Sequence, residues 1–243
     1  MVFILLWQLA GAAGVISPNI LPSPLGVLAA LAGDIPLLAG HAAVTLFTSL
    51  AGLGLAILLA LVMSLAMDVW PWFRKAMYPY MVISQTIPII FIYPVIMMGL
   101  GFGLAPKIAV VTLVCFFPVG VNLSDGLSHT DPELLLLFRS MNASRWRTLL
   151  LCKLPSALPA LFSGLKIAAA YSVIGAVISE WLGATAGLGV YMIRAGKSFV
   201  LSRVFAGIIV VVALSLGIFA VVVAAERVFL PWRHITNHKE NQS

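Results

Sequence analysis

Seven charged residues gather within 32 positions: Asp125, Asp131, Glu133, Arg139, Arg145, Arg147 and Lys153. Acids and bases this close invite a search for proton-transfer chemistry, yet their spacing suits helix ends instead. Asp131 can cap a helix that begins at Pro132, whose fixed φ fits a first helical position, and Glu133 favours the same positive end. That helix is expected to run to about Met141. Asn142 then fits a left-handed stop, and Ser144 can cap a second short helix through Arg145, Trp146 and Arg147. The second helix is expected to end at Leu154-Pro155, because proline cannot be extended into. Two short helices around a sharp turn would thus expose an Arg-Trp-Arg face. Such a face suits two tasks. It can lie among headgroups with its arginines on anionic lipid, or it can dock on a soluble partner, since Trp and Arg dominate binding hot spots.

Other fragments fail as chemistry. Gly196-Lys197-Ser198 ends like a phosphate-binding loop, but the first glycine would have to stand at Tyr191. Gly99, Gly101 and Gly103 begin a dinucleotide fingerprint whose last glycine would fall at Pro106. His41, His129, His234 and His238 are scattered, and Cys115 and Cys152 match no ligand spacing, so no metal site is expected. Asn122-Leu123-Ser124 and Asn142-Ala143-Ser144 match a common glycosylation pattern, but both fall on the side assigned below as inner. No nucleophile or acid–base constellation emerges. The expectation is no catalytic residue, no cofactor and no enzyme activity.

The surroundings of these residues explain why. Of 243 residues, 62% are apolar and only 9% charged, with mean hydropathy +1.10. Soluble domains carry about 25% charged residues. A water-facing surface cannot be made from so few charges, which points to an all-α polytopic transmembrane bundle; long unbroken apolar runs argue against a membrane β-barrel. A charge at the bilayer centre costs about 2.5–3.5 kcal/mol, so charge-free runs mark the spans. They fall at about 44–67, 76–98 and 204–225, with shorter ones at 105–123 and 161–182 carrying Lys107 and Lys166 near their ends. Those lysines are expected to reach the headgroups. Residues 2–16 form a short first candidate, better read as a trimmed span than as a signal peptide. Six spans over one domain, 1–243, with a cytoplasmic loop at 124–160, is the expected organisation.

Placing both termini inside puts nine basic residues on the inner side and four (Lys107, Arg194, Lys197, Arg203) outside. The net charge of +6 then reflects inner-side basic loops, not nucleic-acid binding. Pro88 and Pro94 break the third span, and backbone carbonyls freed there need neighbouring helices or a water-lined cavity. The third and fifth spans are therefore the expected walls of a path, with Gln85, Tyr93, Tyr171 and Ser172 as polar contacts. Glu180 has two readings: an interfacial acid paired with Arg194 or Lys197, beside the boundary residue Trp181, or an acid lining the outer mouth of that path. Gly164, Gly175 and the alanines at 168–170 suit close helix packing.

The stretch from Asn142 to Pro155 resembles the cytoplasmic signature of binding-protein-dependent ABC importer permeases: Glu-Ala-Ala, three residues, Gly, nine residues, Ile, one residue, Leu-Pro. Here the Gly position is Asn142, the Ile position is Cys152, and Leu154-Pro155 stands at the required spacing. The Glu-Ala-Ala positions hold Leu136, Leu137 and Phe138, a departure that removes a charge the family places near its ATPase contact. Similarity extends through Leu21-Pro22-Ser23-Pro24, Gln85-Thr86-Ile87-Pro88, Phe116-Phe117-Pro118 and Ser179-Glu180-Trp181-Leu182-Gly183-Ala184, to Gly187-Leu188-Gly189. The chain as a whole is similar to the group serving nitrate, sulfonate, taurine and thiamin-precursor importers. Phe162-Ser163-Gly164-Leu165-Lys166 with Glu180-Trp181 looks most like the thiamin-pyrimidine and riboflavin branch.

The resemblance implies a type I importer permease in the inner (cytoplasmic) membrane, forming the path for a small solute brought by a periplasmic or lipid-anchored binding protein. It implies a separate ATP-binding subunit and a second permease chain, most simply an identical one. The helix after the turn would be the coupling helix: Asn142 makes the turn, Ser144 the cap, and Ala143, Arg145, Trp146 and Arg147 complete the ATPase contact. The implied cargo is a thiamin pyrimidine precursor or similar heterocycle, with sulfonate, taurine or nitrate as the alternative. A carrier without an ATPase is the competing class. Ion-coupled carriers usually place carboxylates or histidines at mid-membrane, and the runs 44–67, 76–98 and 204–225 contain none.

Overall fold

A computed structural model describes residues 7–8 and 21–231, and the expected first span at 2–16 lies almost wholly outside them. The described chain folds into helices α1 (Pro24–Gly33), α2 (Ile35–Val69), α3 (Pro71–Ser84), α4 (Ile89–Leu100), α5 (Leu104–Ser128), α6 (Pro132–Ser140) and α7 (Arg145–Thr148). A π-helical turn, Leu149–Lys153, leads into α8 (Leu154–Trp181), followed by α9 (Leu188–Lys197) and α10 (Leu201–Phe229). Among the described residues α2, α5, the run Arg145–Trp181 and α10 are each long and apolar enough to cross a bilayer, and α3 with α4 supplies a fifth if taken as one broken span.

The helices outrun the charge-free segments that mark them. At 1.5 Å per residue the 35 residues of α2 extend about 52 Å, well beyond a hydrocarbon core of about 30 Å. Its early start has a local cause. Asp34 closes α1 through its N–H to Ala30 O (3.1 Å), and its own carbonyl accepts the Leu38 N–H (2.8 Å) in the first turn of α2. α1 itself begins as Ser23-Pro24 directs: Ser23 Oγ accepts the Gly26 N–H at 3.2 Å with Pro24 in the first turn.

The expected single span at 76–98 is two helices. Pro88 has no N–H and disfavours α backbone at Ile87, so the helix stops at Ser84 and restarts at Ile89. The Ser84 hydroxyl donates to Met81 O at 2.8 Å, and Ile83 O takes both the Thr86 N–H (2.9 Å) and the Thr86 hydroxyl (2.8 Å), so these carbonyls of the last turn are satisfied at the break. Pro79, Pro94, Pro118 and Pro159 sit inside helices without ending them.

The chain divides into two compact units. The first comprises the described residues up to 51, with 90–111 and 173–216. Asp34 is its polar centre, accepting the Tyr191 hydroxyl at 2.8 Å and pairing with Arg203 at 2.8 Å. Burial and this carboxylate push the Tyr191 phenol above its usual range. The second unit comprises 52–89, 112–172 and 217–243, with Met67, Met81 and Phe117 at its core. There Ser64 Oγ donates to Gly120 O (2.9 Å) and Thr112 Oγ1 to Gly52 O (3.2 Å), tying α2 to α5. Gly126 lies against Ala157 and Ala160, and Gly164 against Pro118 and Val119, so α5 and α8 meet backbone to backbone. Lys166 does not reach for headgroups; it pairs with Glu226 of α10 at 2.5 Å.

Candidate functional site

The knob at 131–153 is built largely as its residues dictate. Asp131 accepts the Glu133 N–H at 2.8 Å and opens α6 with Pro132 in its first turn; Glu133 near the start and Arg139 near the end both suit the helix dipole. At the far end Asn142 takes a positive φ of 54°. Its N–H reaches Arg139 O (2.9 Å) and the Ala143 N–H reaches Phe138 O (3.0 Å), the bond pair of a left-handed helix stop. Asparagine is among the few residues with a Cβ that enter this conformation readily. Ser144 Oγ then accepts the Arg147 N–H at 3.3 Å and starts α7. α6 buries none of its residues, leaving Leu136, Leu137 and Met141 exposed beside Trp146, which is 65% exposed, and Arg145 and Arg147.

The second short helix does not end at Leu154-Pro155. It passes into α8 through the π turn, where the Leu154 N–H reaches back five residues to Leu149 O. Widening the helix by one residue admits a proline without breaking the rod. Within the expected loop at 124–160, α5 continues to Ser128 and α8 starts at Leu154. The knob is therefore rigidly continuous with a spanning helix, and Lys153 ties it to Asp68 at the end of α2 by a 2.7 Å ion pair.

The five expected path contacts separate by exposure. Gln85, in the break between α3 and α4, and Tyr171 on α8 are exposed. Tyr93 and Ser172 are buried, the latter donating to Ala169 O at 2.8 Å. Glu180 is buried as well, only 1% exposed, and is paired with neither Arg194 nor Lys197. Arg194 instead donates to Thr185 O at 3.3 Å.

Glu180 holds the start of α9. Its Oε2 accepts the Gly189 N–H (2.8 Å) and its Oε1 the Thr45 hydroxyl (2.8 Å). Thr45 Oγ1 in turn accepts the Leu188 N–H (2.9 Å), and His41 Nδ1 accepts the Gly187 N–H (3.0 Å). Three N–H groups that a helix start leaves open are thus met by side chains of α2 and α8. A Cβ on Gly187 would stand 2.1 Å from the Glu180 carboxyl carbon, and Gly187 has φ of 124°, so glycine is required on both counts. Lys107, expected at the headgroups, is buried on α5. His41 and Thr45 carried no local signal for this role, because they lie more than 130 residues from the helix they cap.

Among the described residues no group of three or more His, Cys, Asp or Glu side chains is placed to hold a metal ion, and Cys115 and Cys152 are buried. The architecture defines a polytopic helical membrane protein whose polar groups serve helix junctions. Its family follows from sequence comparison. Residues 52–230 match the family described as the binding-protein-dependent transport system inner membrane component, and the chain belongs to that family. It is 37% identical to a probable ABC transporter permease protein of Haemophilus influenzae, over 90% of this chain and 89% of that one. It is 36% identical to the formylaminopyrimidine transport permease protein ThiX of Halalkalibacterium halodurans, over 96% and 93%. A putative aliphatic sulfonates transport permease protein, SsuC of Bacillus subtilis, is 28% identical over 96% and 85%. The chain is an ABC importer permease subunit of the inner membrane, a transport subunit whose family works with an ATP-binding subunit and a substrate-binding protein.

Proposed function

We propose that this permease moves a small nitrogen heterocycle of the thiamin-pyrimidine class, and that residues 142–147 form its contact with the ATP-binding subunit. The observation that carries the coupling assignment is the unbroken helical run from Arg145 to Trp181: a knob with an exposed Trp146 at one end of a spanning helix. A push on α7 then reaches the membrane through the π turn without a flexible joint. Asn142 and Ser144 set the angle of the knob, and Ala143, Arg145, Trp146 and Arg147 meet the ATPase. Gln85 and Tyr171 remain the path contacts, as exposed polar groups on α8 and at the break after α3. Two copies of the chain complete the path, with both termini on the cytoplasmic side.

An exposed Trp at the centre of an interface is worth about 2 kcal/mol or more, so Trp146→Ala is expected to weaken ATPase association about 30-fold. Co-purification of the ATPase with the tagged permease measures this. Unchanged recovery together with unchanged uptake removes Trp146 from the coupling contact.

The cargo assignment is supported by the formylaminopyrimidine permease relative, 36% identical over nearly the whole chain, against 28% for the sulfonate one. Cells carrying the intact transporter are expected to accumulate labelled formylaminopyrimidine in an ATP-dependent manner and to leave an alkanesulfonate outside. Preferential uptake of the sulfonate reverses the assignment.

A further inference from the structure

The basic residues around the knob divide into two sets. Arg145 and Arg147, assigned above to the ATPase, form no ion pair among the described residues. Lys153 is already engaged: its Nζ lies 2.7 Å from Asp68 Oδ1, and the two side chains are only 24% and 13% exposed. A pair so shielded from water gains little net stability over apolar residues of the same size, so stability alone is a poor reason for it.

Its location supplies a better one. Lys153 closes the π turn Leu149–Lys153 that joins α7 to α8, and Asp68 is the penultimate residue of α2. Helices kink at π turns unless something holds them, so an unbraced turn would bend under a push on α7 before α8 moved. Packing on this side is incomplete. A cavity of about 650 Å³ lies within the second compact unit, with Val69 and Pro71 from α2 and α3 and Leu135 and Ala143 from the knob in its walls. Asp68 and Lys153 both border it, so their ion pair bridges a gap that the neighbouring side chains leave unfilled. We propose, on the coupling assignment made above, that Asp68 and Lys153 are positioning residues for transport. Their ion pair braces the π turn against the end of α2, so that a push on α7 moves α8 and the end of α2 together and does not bend the joint. A second ion pair on α8, Lys166 with Glu226 of α10 at 2.5 Å, lies away from the turn and provides the control.

The test uses the intact transporter, with its ATPase and binding protein, in liposomes, and reads labelled formylaminopyrimidine moved per ATP hydrolysed. A labelled alkanesulfonate replaces it if the wild type prefers that solute. Residues in direct contact commonly couple by about tenfold, so Asp68→Asn and Lys153→Met are each expected to lower the ratio about tenfold with ATPase recovery unchanged. Exchanging the charges, Asp68→Lys with Lys153→Asp, should restore the ratio to within about twofold, which a mere packing role would not do. Lys166→Gln should lower the unfolding midpoint and leave the ratio as it was. Should the single variants fold poorly, the exchanged pair decides: a folded but uncoupled exchange overturns the proposal. A full ratio in folded Asp68→Asn and Lys153→Met, with lowered midpoints only, makes the pair structural and overturns it too. Lost ATPase recovery in these variants would place the pair in the docking contact instead. Failure of the coupling assignment itself reads differently, since Trp146→Ala would then leave both ATPase recovery and uptake unchanged.

Discussion

Replacing Glu180 with Ala is expected to cost about 3–5 kcal/mol of stability and to depress the amount of folded transporter severely. The estimate follows from what the carboxylate leaves behind. The Gly189 N–H and the Thr45 hydroxyl each lose a partner in a buried site. Glu180→Gln is milder. The amide oxygen can still accept the Gly189 N–H, while the amide nitrogen can donate to Thr45 Oγ1, whose proton turns to His41 O, a contact already present at 3.2 Å. A smaller loss should remain, because a neutral amide accepts the Gly189 N–H more weakly than a carboxylate does. Thermal unfolding of the purified transporter, with uptake normalised to folded protein, separates two roles. A docking role predicts lowered midpoints with uptake per folded molecule retained in Glu180→Gln. An unshifted midpoint with uptake abolished would return Glu180 to the path.

The contrast between Glu180 and the knob shows which features a sequence exposes. Asp131, Asn142 and Ser144 act on backbone groups two to five residues away, so their roles follow from local spacing, and the structure places each as its type directs. Glu180 acts through Thr45, 135 residues distant, and nothing near position 180 announces that partner. Glycines at 187 and 189 were the available signal: two glycines flanking a helix start, one with a carboxylate where its side chain would be. Lys107 and Lys166 misled for a related reason. A lysine close to the end of an apolar run is normally free to extend to the headgroups. Here Glu226 on another helix holds Lys166, and Lys107 is buried on α5.

Pro88 breaks the third span as expected, whereas Pro94, also expected to break it, sits inside α4, and Pro155 does not end the short helix before it. Pro88 breaks its helix because it has no N–H and disfavours α backbone at Ile87. Pro155 does not, because the π turn before it widens the helix. Hydropathy cannot distinguish these outcomes, since both segments are apolar throughout. It also finds only the stretch of each helix that must avoid charge, which is why α2 and α8 extend beyond their expected ends.

Gly164→Val should cause the other large loss, because the contact it would invade is backbone on the facing side. A Cβ at 164 would stand 2.5 Å from Pro118 O and 3.0 Å from Val119 Cα, neither of which can rotate away. The Pro118 carbonyl is held as well by the Asn122 side-chain amide at 2.7 Å. Overpacking typically costs 1–3 kcal/mol and more against rigid backbone, so about 4 kcal/mol is expected, with α5 and α8 forced apart. Gly54 provides the control. Nothing lies within 4 Å of its would-be Cβ, and Gly54→Ala is expected to be neutral or to stabilise by up to about 1 kcal/mol through helix propensity. Unfolding midpoints of the two variants test the packing directly. If Gly164→Val folds normally, comparing its ATPase activity with its uptake tests the mechanism. In the proposed mechanism α8 carries motion from the knob, and close seating against α5 keeps that motion from being lost as bending. A folded variant that hydrolyses ATP but transports poorly would locate the loss in that helix pair, whereas normal coupling would show that α8 needs no such support.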